Sequence, residues 1–142
     1  MNKLILTAIA TALVANTAFA QQISESNGVL ADAGGRTLYT FDKDANNKSN
    51  CYGGCAAAWP PFMAKEGASA KAGYSVVTRD DGAKQWALSG KPLYFFAADT
   101  NAGDIKGDGQ GGVWHVIRST EKRAETQPAA RQSGGGYSHG GY

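Results

Sequence analysis

In the first half of the chain, short apolar runs alternate with polar or glycine-rich turns. A polar lead-in at residues 21–27 is expected to be loose, whereas residues 29–31 and 37–41 carry the alternating pattern of two strands joined by a Gly-Gly turn. Three alanines at residues 56–58 favour one short helical turn after Cys55, and Pro60 must end it because proline cannot continue a helix.

In the second half, the same alternation predicts a three-stranded meander and a closing strand. Two apolar runs flank Asp81-Gly82, a strong sequence signal for a β-hairpin. A Gly-rich and Asp-rich loop then leads to the final strand. The predicted strands are residues 74–78, 85–88, 91–96 and 113–117. This pattern predicts a mainly β, small antiparallel domain.

One motif occurs twice in the chain and organises the rest. Gly-Arg-Thr-Leu-Tyr-Thr-Phe-Asp-Lys-Asp at residues 35–44 matches Gly-Lys-Pro-Leu-Tyr-Phe-Phe-Ala-Ala-Asp at residues 90–99, 55 positions later, and the same offset carries Trp59 onto Trp114. This indicates an internal duplication, with repeats at about residues 28–63 and 83–118. Because one such repeat is too small to bury its own apolar face, the two related halves are expected to share one core.

The repeated Tyr-x-aromatic-x-x-Asp motif, together with the Cys51–Pro61 and Gly112–Val116 segments, resembles a known bacterial family. It is similar to the secreted-repeat family of predicted lipoproteins with a Tyr-x-(Phe/Trp/Tyr)-x-x-Asp motif. The resemblance covers roughly residues 28–118 and implies export, but no general activity. Lipoprotein members carry a cysteine at the processed N-terminus, which is not found here, so no lipid anchor is expected.

The first 20 residues have the pattern of a Sec signal peptide. A positive start with Lys3 precedes an apolar run, and Ala18-Phe19-Ala20 predicts cleavage after Ala20. No stretch approaches the ~20 apolar residues of a transmembrane segment. We therefore expect a periplasmic or secreted protein with one domain at residues 21–119. The Gly/Tyr/His-rich segment at residues 120–142 lacks apolar residues to bury and is expected to be a disordered tail.

Charge excludes one class of partner. The formal net charge is +2 for the full sequence, too near neutral to indicate nucleic acid as a partner. Recognised nucleophile, metalloprotease, phosphate-loop and dinucleotide motifs are absent from the sequence, so no catalytic residue is assigned. An unknown periplasmic or cell-surface partner is expected instead.

The two cysteines form a Cys-x-x-x-Cys unit in an exported chain. In an oxidising compartment, a disulfide between Cys51 and Cys55 is the first expectation. Its short loop would contribute only about 2 kcal/mol by the chain-entropy argument. An alternative is a metal site in which Cys51, Cys55 and His115 bind copper, because thiolate and imidazole ligands suit Cu(I). Haem is a further alternative, although the usual Cys-x-x-Cys-His pattern is missing.

Two interpretations fit the repeated motif residues. Their side chains either form the framework, with each aspartate accepting backbone hydrogen bonds in the following loop, or provide two equivalent ligand sites. The residues concerned are Tyr39, Phe41, Asp44, Tyr94, Phe96 and Asp99. The favoured function is an exported non-catalytic binding or interaction module, whose surface lies along the Asp-rich loops after the two Tyr-x-Phe strands. The alternative is a periplasmic redox or metal-handling protein using the cysteine unit and His115.

Overall fold

The computed structural model describes residues 23–121 and confirms a mainly β fold of small antiparallel sheets. The predicted signal peptide and residues 122–142 lie outside this range. The short α-helix predicted near Cys55 is present and begins at Gly54, one residue before Cys55. The elements are β1 (Ile23–Ser26), β2 (Val29–Asp32), β3 (Tyr39–Phe41), α1 (Gly54–Ala58), β4 (Tyr74–Thr78), β5 (Lys84–Leu88), β6 (Lys91–Pro92), a 3₁₀ turn (Gln110–Gly112) and β7 (Trp114–Val116).

The N-terminal segment corrects one expectation. Residues 23–26 form β1, which pairs antiparallel with β2, so this part of the lead-in is a strand. Asn27 and Gly28 connect the two strands with positive φ angles of 50° and 78°. A two-residue hairpin turn with positive φ at both positions favours the Asn-Gly pair, because asparagine tolerates this region and glycine has no Cβ to clash.

The predicted hairpin and meander of the second half are present. β4 pairs with β5 over five residue pairs, and β5 pairs with β6. Leu93 then continues the edge, since its N–H donates to the carbonyl of Trp86 at 2.9 Å. In the first half, the Leu38 N–H donates to Leu30 at 3.0 Å, so the duplicated segments repeat the same local pairing.

The central strand of each repeat pairs with a segment of the other repeat. β3 pairs antiparallel with β7, placing Phe41 opposite Trp114. The corresponding segment of repeat two pairs with repeat one in the same way, since the Phe95 N–H donates to the Pro60 carbonyl at 2.7 Å and Tyr94 bridges Pro61. Each half therefore pairs its central strand with a segment of the other half, and the two halves are related by a pseudo-twofold axis. We call this the exchanged arrangement.

The β1–β2 hairpin and the β4–β5 hairpin are each hydrogen-bonded to the other repeat as well. The Leu30 N–H in β2 donates to Ile117 of repeat two at 2.8 Å, and the Trp86 N–H in β5 donates to Phe62 of repeat one at 2.9 Å. Both apolar clusters accordingly contain residues of both repeats. One cluster is Leu30, Leu38, Phe62, Tyr74, Trp86, Leu88, Leu93, Phe95 and Ile117. The other is Val29, Tyr39, Cys51, Trp59, Tyr94, Trp114 and Val116.

This exchange predicts that neither repeat folds alone. Fragments 21–69 and 70–121 are each expected to show no cooperative thermal transition, because each lacks the strands that complete its pairing and its core. Mixing them at equal concentration should restore the β circular-dichroism spectrum and a single transition. A fragment that unfolds cooperatively by itself would contradict the exchanged arrangement.

Candidate functional site

The pseudo-twofold axis passes between Tyr39 and Tyr94. Their backbones pair reciprocally, the Tyr39 N–H donating to Tyr94 at 2.8 Å and the Tyr94 N–H to Tyr39 at 3.0 Å. Both residues are fully buried. Because a buried phenol hydroxyl needs a hydrogen-bond partner, the contacts of these two hydroxyls decide how the centre of the molecule is held.

Each phenol hydroxyl donates to an aspartate of the opposite repeat. The Tyr39 hydroxyl donates to Asp99 Oδ2 at 2.5 Å, and the Tyr94 hydroxyl donates to Asp44 Oδ2 at 2.7 Å. Hydrogen bonds to a charged acceptor are stronger than those between neutral groups. The repeated tyrosine and aspartate therefore connect the two halves in both directions. We refer to Tyr39, Asp99, Tyr94 and Asp44 as the Tyr–Asp framework.

The second oxygen of each aspartate holds the loop that follows its own strand. Asp44 Oδ1 accepts the N–H of Asn50 at 2.7 Å, and Asp99 Oδ1 accepts the N–H of Lys106 at 2.9 Å. Both carboxylate oxygens are thus engaged inside the protein. The contacts support the framework interpretation, and a ligand role for these residues stays a prediction.

Burial changes the protonation behaviour of this framework. Burial raises the pKa of Tyr39 and Tyr94, and their aspartate partners raise it further because a nearby negative charge disfavours the phenolate. Burial also raises the pKa of Asp44, an effect that the Asn50 N–H, the Tyr94 hydroxyl and the positive charge of Arg79 oppose.

Four aromatic rings stack in alternating order from the two repeats. Phe41 lies 4.2 Å from Trp114, Trp114 lies 3.9 Å from Trp59, and Trp59 lies 4.2 Å from Phe96, measured between ring centroids. Gly107 packs so closely on this aromatic stack that a Cβ there would lie 2.5 Å from the Trp59 ring. All six predicted motif residues therefore meet around one axis, together with the two tryptophans.

The predicted disulfide between Cys51 and Cys55 is present, with an S–S distance of 2.06 Å. Cys51 is fully buried, and its carbonyl accepts a hydrogen bond from Arg79 at 2.6 Å. Arg79 is itself buried and also donates to Ser49 at 2.9 Å and Gln85 at 2.7 Å. Arg79 lies between the predicted strand at residues 74–78 and Asp81-Gly82, and nothing in its sequence neighbourhood signals a buried arginine.

His115 lies on β7, where its Nε2 atom is 2.7 Å from Asp42 Oδ2. A disulfide has no thiolate to bind a metal, so a copper site using Cys51, Cys55 and His115 would require reduction of the bridge. Residues 23–121 contain no group of three or more His, Cys, Asp or Glu side chains arranged to hold a metal ion. Copper and haem stay sequence-based predictions.

The pair of His115 and Asp42 belongs to a polar cleft of about 410 Å³. Its apolar floor is formed by Leu88, Val116 and Ile117. The charged and titratable side chains that line it are Asp42, Lys91, Asp108, His115, Arg118 and Glu121. Arg118 lies 3.3 Å from Asp108, and the Arg118 N–H donates to Glu121 at 3.1 Å. Sequence reasoning missed this grouping because Asp42 and His115 are 73 residues apart.

The duplication supplies an internal comparison for the cleft. At the equivalent positions of the other half, the 55-residue offset replaces Thr40 by Phe95, Asp42 by Ala97, His115 by Pro60 and Arg118 by Met63. The other half adopts the same strand pairing without these polar groups. The fold consequently does not require the polar set, and the cleft is the clearest departure from pseudo-symmetry.

A family model described as a secreted repeat of unknown function matches residues 22–63 and 75–118. The chain belongs to this secreted-repeat family. The two matches coincide with the exchanged halves, the second starting earlier than the duplication in the sequence indicated. No curated protein and no solved structure matches the chain significantly. In the part of the chain that the structure describes, no helix is long and apolar enough to cross a membrane.

The raised tyrosine pKa values predict a loss of stability in alkali. Above pH ~10 an unfolded tyrosine ionises while Tyr39 and Tyr94 stay protonated in the native state, so the native state binds more protons and the free energy of unfolding falls as pH rises. Replacing both residues with phenylalanine should make this fall shallower by about 0.7 kcal/mol per pH unit on average between pH 9 and 11 for each tyrosine removed, rising toward about 1.4 kcal/mol per pH unit at higher pH. Urea unfolding between pH 9 and 11 measures the slope, and equal slopes would contradict the assignment.

Proposed function

We propose that this secreted-repeat protein is an exported non-catalytic binding module and that its ligand binds in the polar cleft. The observation that carries the proposal is the divergence of the two halves. The same strand pairing carries Asp42, His115 and Arg118 in one half, whereas the equivalent positions of the other half are Ala97, Pro60 and Met63. Asp42 and Asp108 of the cleft come from the two loops that follow the Tyr-x-Phe strands, the surface that the sequence favoured.

Stability gives a poor explanation for the charged groups of the cleft. The side chains of His115 and Asp42 are 43% and 54% exposed, and exposed ion pairs typically contribute only about 0–1 kcal/mol. The Arg118 side chain is 53% exposed, and that of Asp108 is 29% exposed. Groups that stabilise the fold so little, arranged around a concave surface, are better explained by recognition.

The framework gives such a module a rigid base. β3 and β7 carry Thr40 and His115 opposite each other, and the same two strands carry Phe41 and Trp114 of the aromatic stack. Thr40 and His115 are therefore held by strands whose neighbouring positions are packed in the core. Preorganised side chains of this kind reduce the entropy lost on binding.

The proposal predicts that changes in the cleft remove binding without unfolding the protein. In a screen of amino acids, short peptides, sugars, organic acids and phosphates, at least one compound should shift the backbone amide resonances of Thr40, His115 and Arg118. Arg118→Met and Asp42→Ala introduce the residues found at the equivalent positions of the other half. Each should weaken that binding at least tenfold and change the free energy of unfolding by no more than about 0.5 kcal/mol.

Met63→Ala is the matched control, because Met63 is exposed at the position equivalent to Arg118. It should leave ligand binding unchanged. If no compound perturbs the cleft, or if bound compounds perturb only the opposite half, the binding-module proposal fails at this site.

A further inference from the structure

The polar cleft carries charges of both signs in nearly equal number. Three carboxylates, Asp42, Asp108 and Glu121, line it together with the two cations Lys91 and Arg118 and with His115. A ligand with a single charge would have groups of its own sign as well as of the opposite sign around it in the cleft. A ligand that carries both charges can place each one beside a group of the opposite sign.

The charged groups are arranged as two exchangeable pairs. One end holds His115 beside Asp42 at 2.7 Å, and the other holds Arg118 beside Asp108 at 3.3 Å. Because these side chains are substantially exposed, each pair contributes little and can be replaced by a pair with the ligand at small cost. The Asp42 carboxylate offers acceptors for an ammonium group, while the planar guanidinium of Arg118 matches a carboxylate.

The spacing of the two ends indicates the size of the ligand. His115 and Arg118 are three residues apart on an extended segment, a backbone separation of roughly 10 Å. A peptide of two or three residues has a similar reach, at roughly 3.3–3.6 Å per residue. Leu88, Val116 and Ile117 line the same cleft, so part of its surface is apolar.

We infer that the polar cleft binds a zwitterionic ligand, a peptide of two or three residues with free ends, its ammonium group at Asp42 and its carboxylate at Arg118. This inference rests on the proposed binding function and specifies the ligand class for the same site. It goes beyond that proposal by assigning opposite ends of the ligand to the two charge pairs.

The test uses the isotope-labelled mature chain, residues 21–142, at pH 7. Ala-Ala and Ala-Ala-Ala are titrated beside the same peptides blocked as N-acetyl derivatives or as C-terminal amides. At least one free peptide should shift the amide resonances of Thr40, His115 and Arg118, and blocking either of its ends should weaken binding at least tenfold.

Two variants assign the ends of the peptide. Asp42→Ala should abolish the preference for a free ammonium group and keep the preference for a free carboxylate, whereas Arg118→Met should do the reverse. Met63→Ala should retain both preferences. If each variant loses only one of the two preferences, the two ends of the peptide are bound at separate groups, which a nonspecific surface would not show.

Three results would overturn the inference. Blocked peptides would bind as tightly as free ones if only apolar contacts mattered, so equal affinities would rule out zwitterion recognition. Failure of both free peptides to shift the cleft resonances would exclude the ligand class. Retention of both preferences in Arg118→Met would show that the ends are held elsewhere. If another compound from the screen still binds in the cleft, the binding-module proposal survives and only the ligand class is wrong.

Discussion

The hydrogen bonds between each tyrosine and the aspartate of the opposite repeat constrain the rest of the structure. Each of these aspartates uses one oxygen for a tyrosine across the axis and the other for its own loop. A single carboxylate therefore ties a strand of one repeat to a loop of the other. The aromatic stack lies on the same axis, so polar and apolar contacts enforce the same pairing of the halves. A repeat separated from its partner would leave buried hydroxyls and ring faces without contacts.

Duplication allows a division between framework and site. Positions that serve the shared centre keep the same residue type in both copies, as Tyr39 and Tyr94 do. Positions on the outward faces of the exchanged strands are free to diverge, because neither the Tyr–Asp hydrogen bonds nor the stacking depends on them. His115 and its equivalent Pro60 illustrate this freedom, since both lie on segments paired in the same way with the other repeat. In the polar cleft, charged side chains occupy several of these divergent positions.

Local patterns predicted much of the secondary structure. The Asp81-Gly82 hairpin and the helical turn near Cys55 appear close to where the sequence placed them, since turn chemistry and helix termination depend on neighbouring residues. β1 was missed because its polar residues concealed a strand, although Asn27-Gly28 is a recognised hairpin turn.

The candidate site was harder to predict because it depends on contacts between distant residues. A constant offset shows that Tyr39 and Tyr94 are equivalent, but it does not tell whether Tyr39 bonds Asp44 of its own repeat or Asp99 of the other. The pairing of Asp42 with His115 follows from the exchange of strands and has no local sequence signal. The buried position of Arg79 could not be predicted for the same reason, since its partners Ser49 and Cys51 belong to the other repeat.

The most direct test of the exchanged architecture is a pair of double-mutant cycles on the free energy of unfolding. Tyr39→Phe combined with Asp99→Ala should give a coupling energy of about 1–3 kcal/mol, because the hydroxyl and the carboxylate form a buried hydrogen bond. Tyr39→Phe combined with Asp44→Ala should be close to additive, since Asp44 bonds the other tyrosine. Strong coupling of Tyr39 to Asp44 and none to Asp99 would contradict the crosswise framework.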